Sequence, residues 1–389
     1  MNVVLVGPLP PPFSGPEMVT QTLLDFCPQE IQYRHVDLSS GANAAKGRWS
    51  GAAMGRMVKQ GLKLAWTLWA IRRTTGVVHL PLSQSTTGVL RDVTFIQIAR
   101  LFRYRIIVQF HGGDFLQFYR ASKFQWLISR SLRRIDGLLV FHHTLFDQFP
   151  FMPRNKLKVL VNPVPGHWAR VWPTLPIRPP VSESAPLVIL FMGHLSVAKG
   201  IVDLMQALSY LPQRKTWELH VAGEILRVER NITWQTQDMN DGWAKALNII
   251  RDHHWEMHVH YHGVVSGSEK EALFYGSHVL ALPSYSEGLP IVILEAMYAG
   301  LAVIASRVGA VPAVLPSAAL HDPGDVTQLA CLLSNMTPSK ARQIGHQNRK
   351  TVEFGYSPEQ VTHQLRELYQ SLDGSAFQQD RSLHKHLYP

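Results

Sequence analysis

Residues 283–296 read Pro283-Ser284-Tyr285-Ser286-Glu287-Gly288-Leu289-Pro290-Ile291-Val292-Ile293-Leu294-Glu295-Ala296. An apolar strand ends near Leu282, and Pro290 suits the first turn of a helix, where its fixed φ fits and its missing N–H needs no partner. The stretch is one strand–loop–helix unit, the repeating element of a parallel α/β sheet. It puts Glu287 in the loop and Glu295 about a turn and a half inside the helix. Two carboxylates could form an acid/base pair. A glutamate inside so apolar a helix is better suited to accept two hydroxyls, as a ribose diol offers. The plainer alternative is pairing within the core, since ionised carboxylates are rarely buried alone.

The same alternation extends outward. Residues 187–192, 218–222, 258–262, 278–282 and 302–305 read as strands, with helices after Lys199, Ser268, Pro290, Asp325 and Pro338. In the first half, residues 2–6, 77–80, 106–110, 138–141 and 158–161 are β-branched runs separated by helix-length stretches. Between the two series lie Pro173, Pro176, Pro179, Pro180 and Pro186, which exclude a helix or a central strand. The chain therefore reads as α/β, with two Rossmann-like doubly wound domains at 1–172 and 185–365. Residues 366–389 form a C-terminal helix and tail packing back on the first domain. Two such domains imply a cleft between them.

With 389 residues, 46% hydrophobic and 17% charged, the chain can fill two cores. No apolar run approaches the roughly 18 residues of a spanning helix, and residues 1–6 lack the features of a signal peptide. The expected compartment is the cytoplasm. Cys27 and Cys331 show no metal or redox spacing, which points to buried thiols. The net charge of +10 is uneven: residues 1–180 hold 22 Lys+Arg against 8 Asp+Glu. No acidic residue lies between Asp37 and Asp92, where Lys46, Arg48, Arg56, Lys59, Lys63, Arg72, Arg73 and Arg91 interleave with Trp49, Trp66 and Trp69. Such a surface seeks anions.

Three further loops follow strands, where open parallel sheets bind ligands. Residues 7–15 read GPLPPPFSG, a phosphate-approaching glycine loop or a simple connector. His111-Gly112-Gly113-Asp114 presents an imidazole able to donate to a sugar hydroxyl, or one that only caps backbone. Gly193-His194-Leu195-Ser196-Val197-Ala198-Lys199-Gly200 opens the first helix of the second half. There a lysine beside helix N–H groups can neutralise a diphosphate, with a plain surface lysine as the alternative.

Taken together and in order, these motifs resemble glycosyltransferase family 4, the retaining GT-B enzymes. Glu287 and Glu295 match its Glu-x7-Glu pair, residues 193–200 its Gly-Arg-Leu-x3-Lys-Gly, and residues 306–312 (SRVGAVP) its later Ser-x-x-Gly-Gly-x-Pro-Glu. The resemblance implies catalytic roles for His111, Glu287 and Lys199. It implies donor binding by Gly15, Gly193, His194, Lys199, Val264, Ser286, Glu287, Gly288, Leu289, Ile291 and Glu295. Lys199 would take the diphosphate, Glu295 the ribose, Glu287 the transferred sugar's hydroxyls, and backbone near Val264 and Val265 the base. Asp114 and Asn162 fall on the acceptor side. The family arginine is His194 here, the Pro-Glu ending is Pro312-Ala313, and Pro290 replaces a glycine. Residues 223–257 are longer than usual, with Trp234, Trp243 and Trp255. No Asp-x-Asp ends a strand, so no metal and no cofactor are expected.

The reaction this implies is transfer of a hexosyl unit from a nucleoside diphosphate sugar to a hydroxyl of a lipid-linked or polysaccharide acceptor. The basic first half suggests an anionic or lipid-borne acceptor and peripheral contact with an anionic membrane surface through residues 54–73. The alternative for that stretch is an ordinary amphipathic helix with Trp66 and Trp69 facing the core. A sugar-nucleotide epimerase of the same fold would be exposed by sugar isomers formed from donor alone. A nucleic-acid binder, which the ordered Lys199, Glu287 and Glu295 disfavour, would show a salt-dependent gel shift.

Overall fold

The computed structural model describes residues 1–39, 51–71, 76–171, 182, 185–225 and 242–373. Lys46, Arg48, Trp49, Arg72, Arg73, Trp234, the prolines at 173–180 and the tail beyond 373 lie outside the described residues.

The first half holds strands β1 (Asn2–Gly7), β2 (Gln32–Asp37), β3 (Gly76–Leu82), β4 (Arg105–Phe110), β5 (Gly137–Val140) and β6 (Leu157–Val159). They form one parallel sheet in the order β2-β1-β3-β4-β5-β6. Helices α1 (Gly15–Asp25), α2 (Gly51–Ala70), α3 (Thr86–Leu101), α4 (Phe115–Ala121), α5 (Gln125–Leu132) and α6 (Gly166–Val171) accompany them. The second half holds β7 (Leu187–Met192), β8 (Trp217–Ala222), β9 (Val259–Tyr261), β10 (Val279–Leu282), β11 (Ala302–Ser306) and β12 (Leu320–His321). Its sheet is also parallel, in the order β12-β11-β10-β7-β8-β9. Its helices are α7 (Ile201–Ser209), α8 (Gly242–Asp252), α9 (Gly267–Gly276), α10 (Ile291–Tyr298), α11 (Val326–Ser334), α12 (Pro338–Gly355) and α13 (Pro358–Asp373).

Central strands such as β4, β5 and β10 are almost wholly buried, as parallel strands covered on both faces must be. Two strands escape a reading by apolar runs. The edge strand β2 carries Gln32, Arg34 and Asp37 with only Val36 fully buried, and β12 has two residues. One apolar cluster joins the first sheet to the near side of the second, and a second cluster packs β7 and β8 against α7, α8 and α11. Helix α13 returns to the first half, against β3 and α1. It begins at Pro358, ahead of the boundary at 366, because Val361, Leu365 and Tyr369 form one buried stripe at four-residue spacing. Of the two thiols, Cys331 is exposed, contrary to expectation, because α11 turns Leu329, Ala330 and Leu333 inward instead.

Candidate functional site

The order of the second sheet reverses between β7 and β10, and at such a switch point the loops leaving the two strands splay apart to make a crevice. Residues 193–200 leave β7 and residues 283–290 leave β10, so the sequence places both motifs there. The amide of Tyr285 donates to Ala198 O at 2.9 Å, joining the loops. Gly200 has φ of 74°, and a Cβ on it would lie 2.0 Å from Pro283 O, so only glycine lets the lysine loop close against the loop after β10. Lys199, on a short 3-10 turn ahead of α7, then donates from Nζ to Glu287 Oε1 at 2.5 Å. Both side chains are mostly buried, at 28% and 13% exposure.

The first half closes the other side. A Cβ on Gly113 would lie 2.1 Å from Glu287 O, so this backbone contact needs a residue without a side chain. Asp114 accepts a hydrogen bond from Ser286, and Asn162 Nδ2 donates to Leu289 O at 2.9 Å. These two residues, placed by sequence on the acceptor side, thus bridge to the donor-side loop. Gly15, at the start of α1, faces the Ile291 side chain at the start of α10. His111 sits beside Phe141, with ring centroids 6.0 Å apart. Burial pushes its imidazole down to about 4, leaving a neutral ring with one N–H to donate at neutral pH.

Glu295 shows the pairing that the sequence offered as the plainer alternative. It is 1% exposed, and Lys270 Nζ donates to both its oxygens at 2.7 and 2.8 Å. The indole of Trp168 donates to Oε1 at 2.9 Å. Lys270 on α9 and Trp168 on α6 are the residues that sequence reasoning missed. Trp168 pairs with Glu295 across 127 positions, a separation at which one sequence carries no pairing signal. A carboxylate offers about four lone-pair sites, so these contacts leave acceptor capacity for a hydroxyl.

His194 and Val264 lie further out. His194 Nδ1 is 3.8 Å from Glu224 Oε2, both side chains being more than half exposed. Val264 is 74% exposed, in the turn after β9 where Gly223 N donates to Gly263 O at 2.7 Å. Gly193 starts the loop that carries His194, with open space where a Cβ would stand. Gly288, between these groups, receives the amide of Ala310 at 2.8 Å, so the 306–312 segment buttresses the loop of Glu287.

Two facing Rossmann-like halves with polar loops meeting at the switch point define a GT-B protein. The Anabaena protein Alr3699/HepE, solved in complex with UDP and glucose, has this fold, with a TM-score of 0.66 at 15% identity over 96% of this chain and 100% of that one. Residues 177–351 match the family described as glycosyl transferases group 1. The MMP alpha-(1->4)-mannosyltransferase of Mycolicibacterium hassiacum is 29% identical over 151 residues, 37% of each chain. The O-antigen chain mannosyltransferase B of Escherichia coli is 27% identical over 189 residues, 47% of this chain and 45% of that protein. The chain therefore matches less than half the length of these two relatives.

Proposed function

We propose that this chain transfers a hexosyl unit from a nucleoside diphosphate sugar to a hydroxyl of a lipid-linked or polysaccharide acceptor, with retention at the anomeric carbon and no metal in the reaction. The observation that carries the reading is the meeting of Lys199 and Glu287 at the switch point of the second sheet, opposite the neutral His111 of the first. In that arrangement Lys199 swings from Glu287 to the incoming diphosphate and offsets charge as the bond from the anomeric carbon to the leaving oxygen breaks. Glu287, released, accepts hydroxyls of the sugar, and His111 donates to a hydroxyl near the reacting carbon. Glu295 and Lys270 take the ribose end, and His194 with the N-terminus of α7 adds to the diphosphate's surroundings. Loops from both halves fix donor against acceptor, so positioning supplies much of the rate.

Names of relatives support the substrate class: two are mannosyltransferases, and the Anabaena structure holds UDP and glucose. The acceptor assignment draws on α2. Met54, Val58, Leu62, Trp66 and Trp69 are all exposed along one stripe, while Leu64 and Leu68 are the residues turned to the core. The alternative that Trp66 and Trp69 face inward is thereby set aside. Lys59 and Lys63 are exposed beside the stripe. No helix among the described residues is long and apolar enough to cross a membrane. An apolar stripe with flanking lysines suits the cytoplasmic face of an anionic bilayer, where a lipid-linked acceptor would be met. The test is release of nucleoside diphosphate from UDP-, GDP- and ADP-sugars with a lipid-linked acceptor. The reading expects turnover with one donor, lost in Lys199→Ala; isomerised sugar without acceptor would make the chain an epimerase instead.

A further inference from the structure

The edge of the second sheet carries a group of side chains that the donor site does not use. Strands β8 and β9 pair in parallel with His220 opposite His260. Residues two apart on a strand share a face, so Glu218 joins His220 and His262 joins His260 on one side of the sheet. Leu219 and Val221 point the other way, into the second core cluster. Among the described residues, one group of His, Cys, Asp or Glu side chains converges closely enough to hold an ion. One ligand atom each from Glu218, His220 and His260 lies within 4.8 Å of the others. We propose that these three side chains bind one divalent transition-metal ion of the zinc class, held apart from the donor site, and that His262 orients His220 for it.

Three observations carry the assignment. Two imidazoles and a carboxylate are a ligand set that zinc takes, with a fourth position left for water. Ligand atoms about 2.0–2.1 Å from a tetrahedral ion are about 3.4 Å apart, so small rotations about the side-chain bonds close the site. The rings also pack in a supporting order: His220 lies 5.0 Å from His260, tilted against it, and 5.1 Å from His262, stacked on it, between centroids. His220 Nδ1 meets His262 Nε2 at 2.9 Å, and a ring whose Nδ1–H donates carries its lone pair on Nε2, ready for a metal.

The ion would tie the three-residue edge strand β9 to β8, just below the turns at Gly223 and Gly263. The site stands whether or not the transferase reading does. The full chain, stripped with chelator, is titrated with Co²⁺ and then Zn²⁺. One equivalent should bind with the visible absorption of four-coordinate cobalt, be displaced by zinc, and raise the thermal midpoint. His260→Gln and His220→Gln should abolish the signal, and His262→Gln should weaken affinity by about 10–100-fold. Glu218→Gln, nearly isosteric, should also abolish it and serves if a histidine variant fails to fold. His253→Gln with His254→Gln, which removes two exposed histidines after α8, should leave binding unchanged. No stoichiometric binding by wild type, binding that survives both Glu218→Gln and His260→Gln, or loss in the His253/His254 variant would each overturn the assignment.

Discussion

Lys199 and Glu287 hold each other at 2.5 Å, and in the proposed reaction each exchanges that partner for the donor. Lys199→Ala should therefore lower kcat by about 100-fold or more, because its charge matters most while the diphosphate departs, and the loss is read from steady-state rates at saturating donor. Near-normal kcat would move the phosphate site elsewhere. Glu295 behaves differently, since its carboxylate is buried and the Lys270 side chain paired with it is only 17% exposed. Glu295→Ala leaves Lys270 without its counter-charge and should cost about 3–5 kcal/mol in denaturant unfolding while also raising donor KM. An unchanged unfolding midpoint would show that Lys270 finds another partner. At this scale the sequence exposed Lys199, Glu287 and Glu295 because fixed spacing around one loop and helix carries them. It could not expose Trp168, Lys270 or the Asp114–Ser286 contact, whose members come from distant elements and meet only by packing.

Elements decide how well those residues are held. Gly200 turns the lysine loop with φ of 74° and no room for a side chain, so Gly200→Ala combines left-handed strain with a collision against Pro283 O. It should lower both stability and kcat, whereas Gly276→Ala, whose Cβ would meet nothing within 4 Å, should change neither; thermal melts and rates check both. Helix α2 makes the second element-scale prediction. Vesicles rich in anionic lipid should bind the protein and release it as salt rises. Trp66→Ser with Trp69→Ser should weaken binding at all salt concentrations, while Lys59→Ala with Lys63→Ala should flatten the salt dependence. Equal binding to neutral vesicles, or none, would make the stripe an ordinary exposed helix face. Most elements were legible because buried parallel strands must be apolar runs between amphipathic helices. Strand β2 was not, since its one-sided burial leaves Gln32, Arg34 and Asp37 in the run, and β12 is too short to form a pattern.

Across the whole molecule, α13 links the two halves by laying Tyr369 against β3, where the hydroxyl and His79 Nδ1 are 2.7 Å apart. Burial first, and His111 second, press His79 down to about 3, while His111 itself lies at about 4. Unfolded histidine titrates near about 6.5, so both native rings are depressed. Their stabilisation is complete above that value and is lost as pH falls through it toward 4 and 3, at up to about 1.4 kcal/mol per pH unit for each ring. Unfolding free energy should thus fall between about pH 6.5 and 4, and His79→Gln should reduce the slope. The two-domain outline could be read from the strand series on either side of the proline segment. Helix α13's return could not, because its apolar stripe names no partner.

Metal-free chemistry is a separate whole-molecule expectation. Turnover should persist in chelator at a temperature where circular dichroism shows an intact fold. Restoration of a lost rate by Mg²⁺ or Mn²⁺ would contradict it.

The most direct test of the donor site is thermal shift with UDP, GDP, ADP and their sugars on wild type, Lys199→Ala and Glu287→Gln. A ligand that binds only the native state raises the midpoint, by an amount set by its concentration relative to Kd. At least one nucleotide and its sugar should raise the wild-type midpoint. Lys199→Ala should lose most of the nucleotide's effect, and Glu287→Gln only the increment added by the sugar. No shift with any nucleotide in wild type, or equal shifts in all three proteins, would place the donor site away from Lys199 and Glu287 and contradict the account.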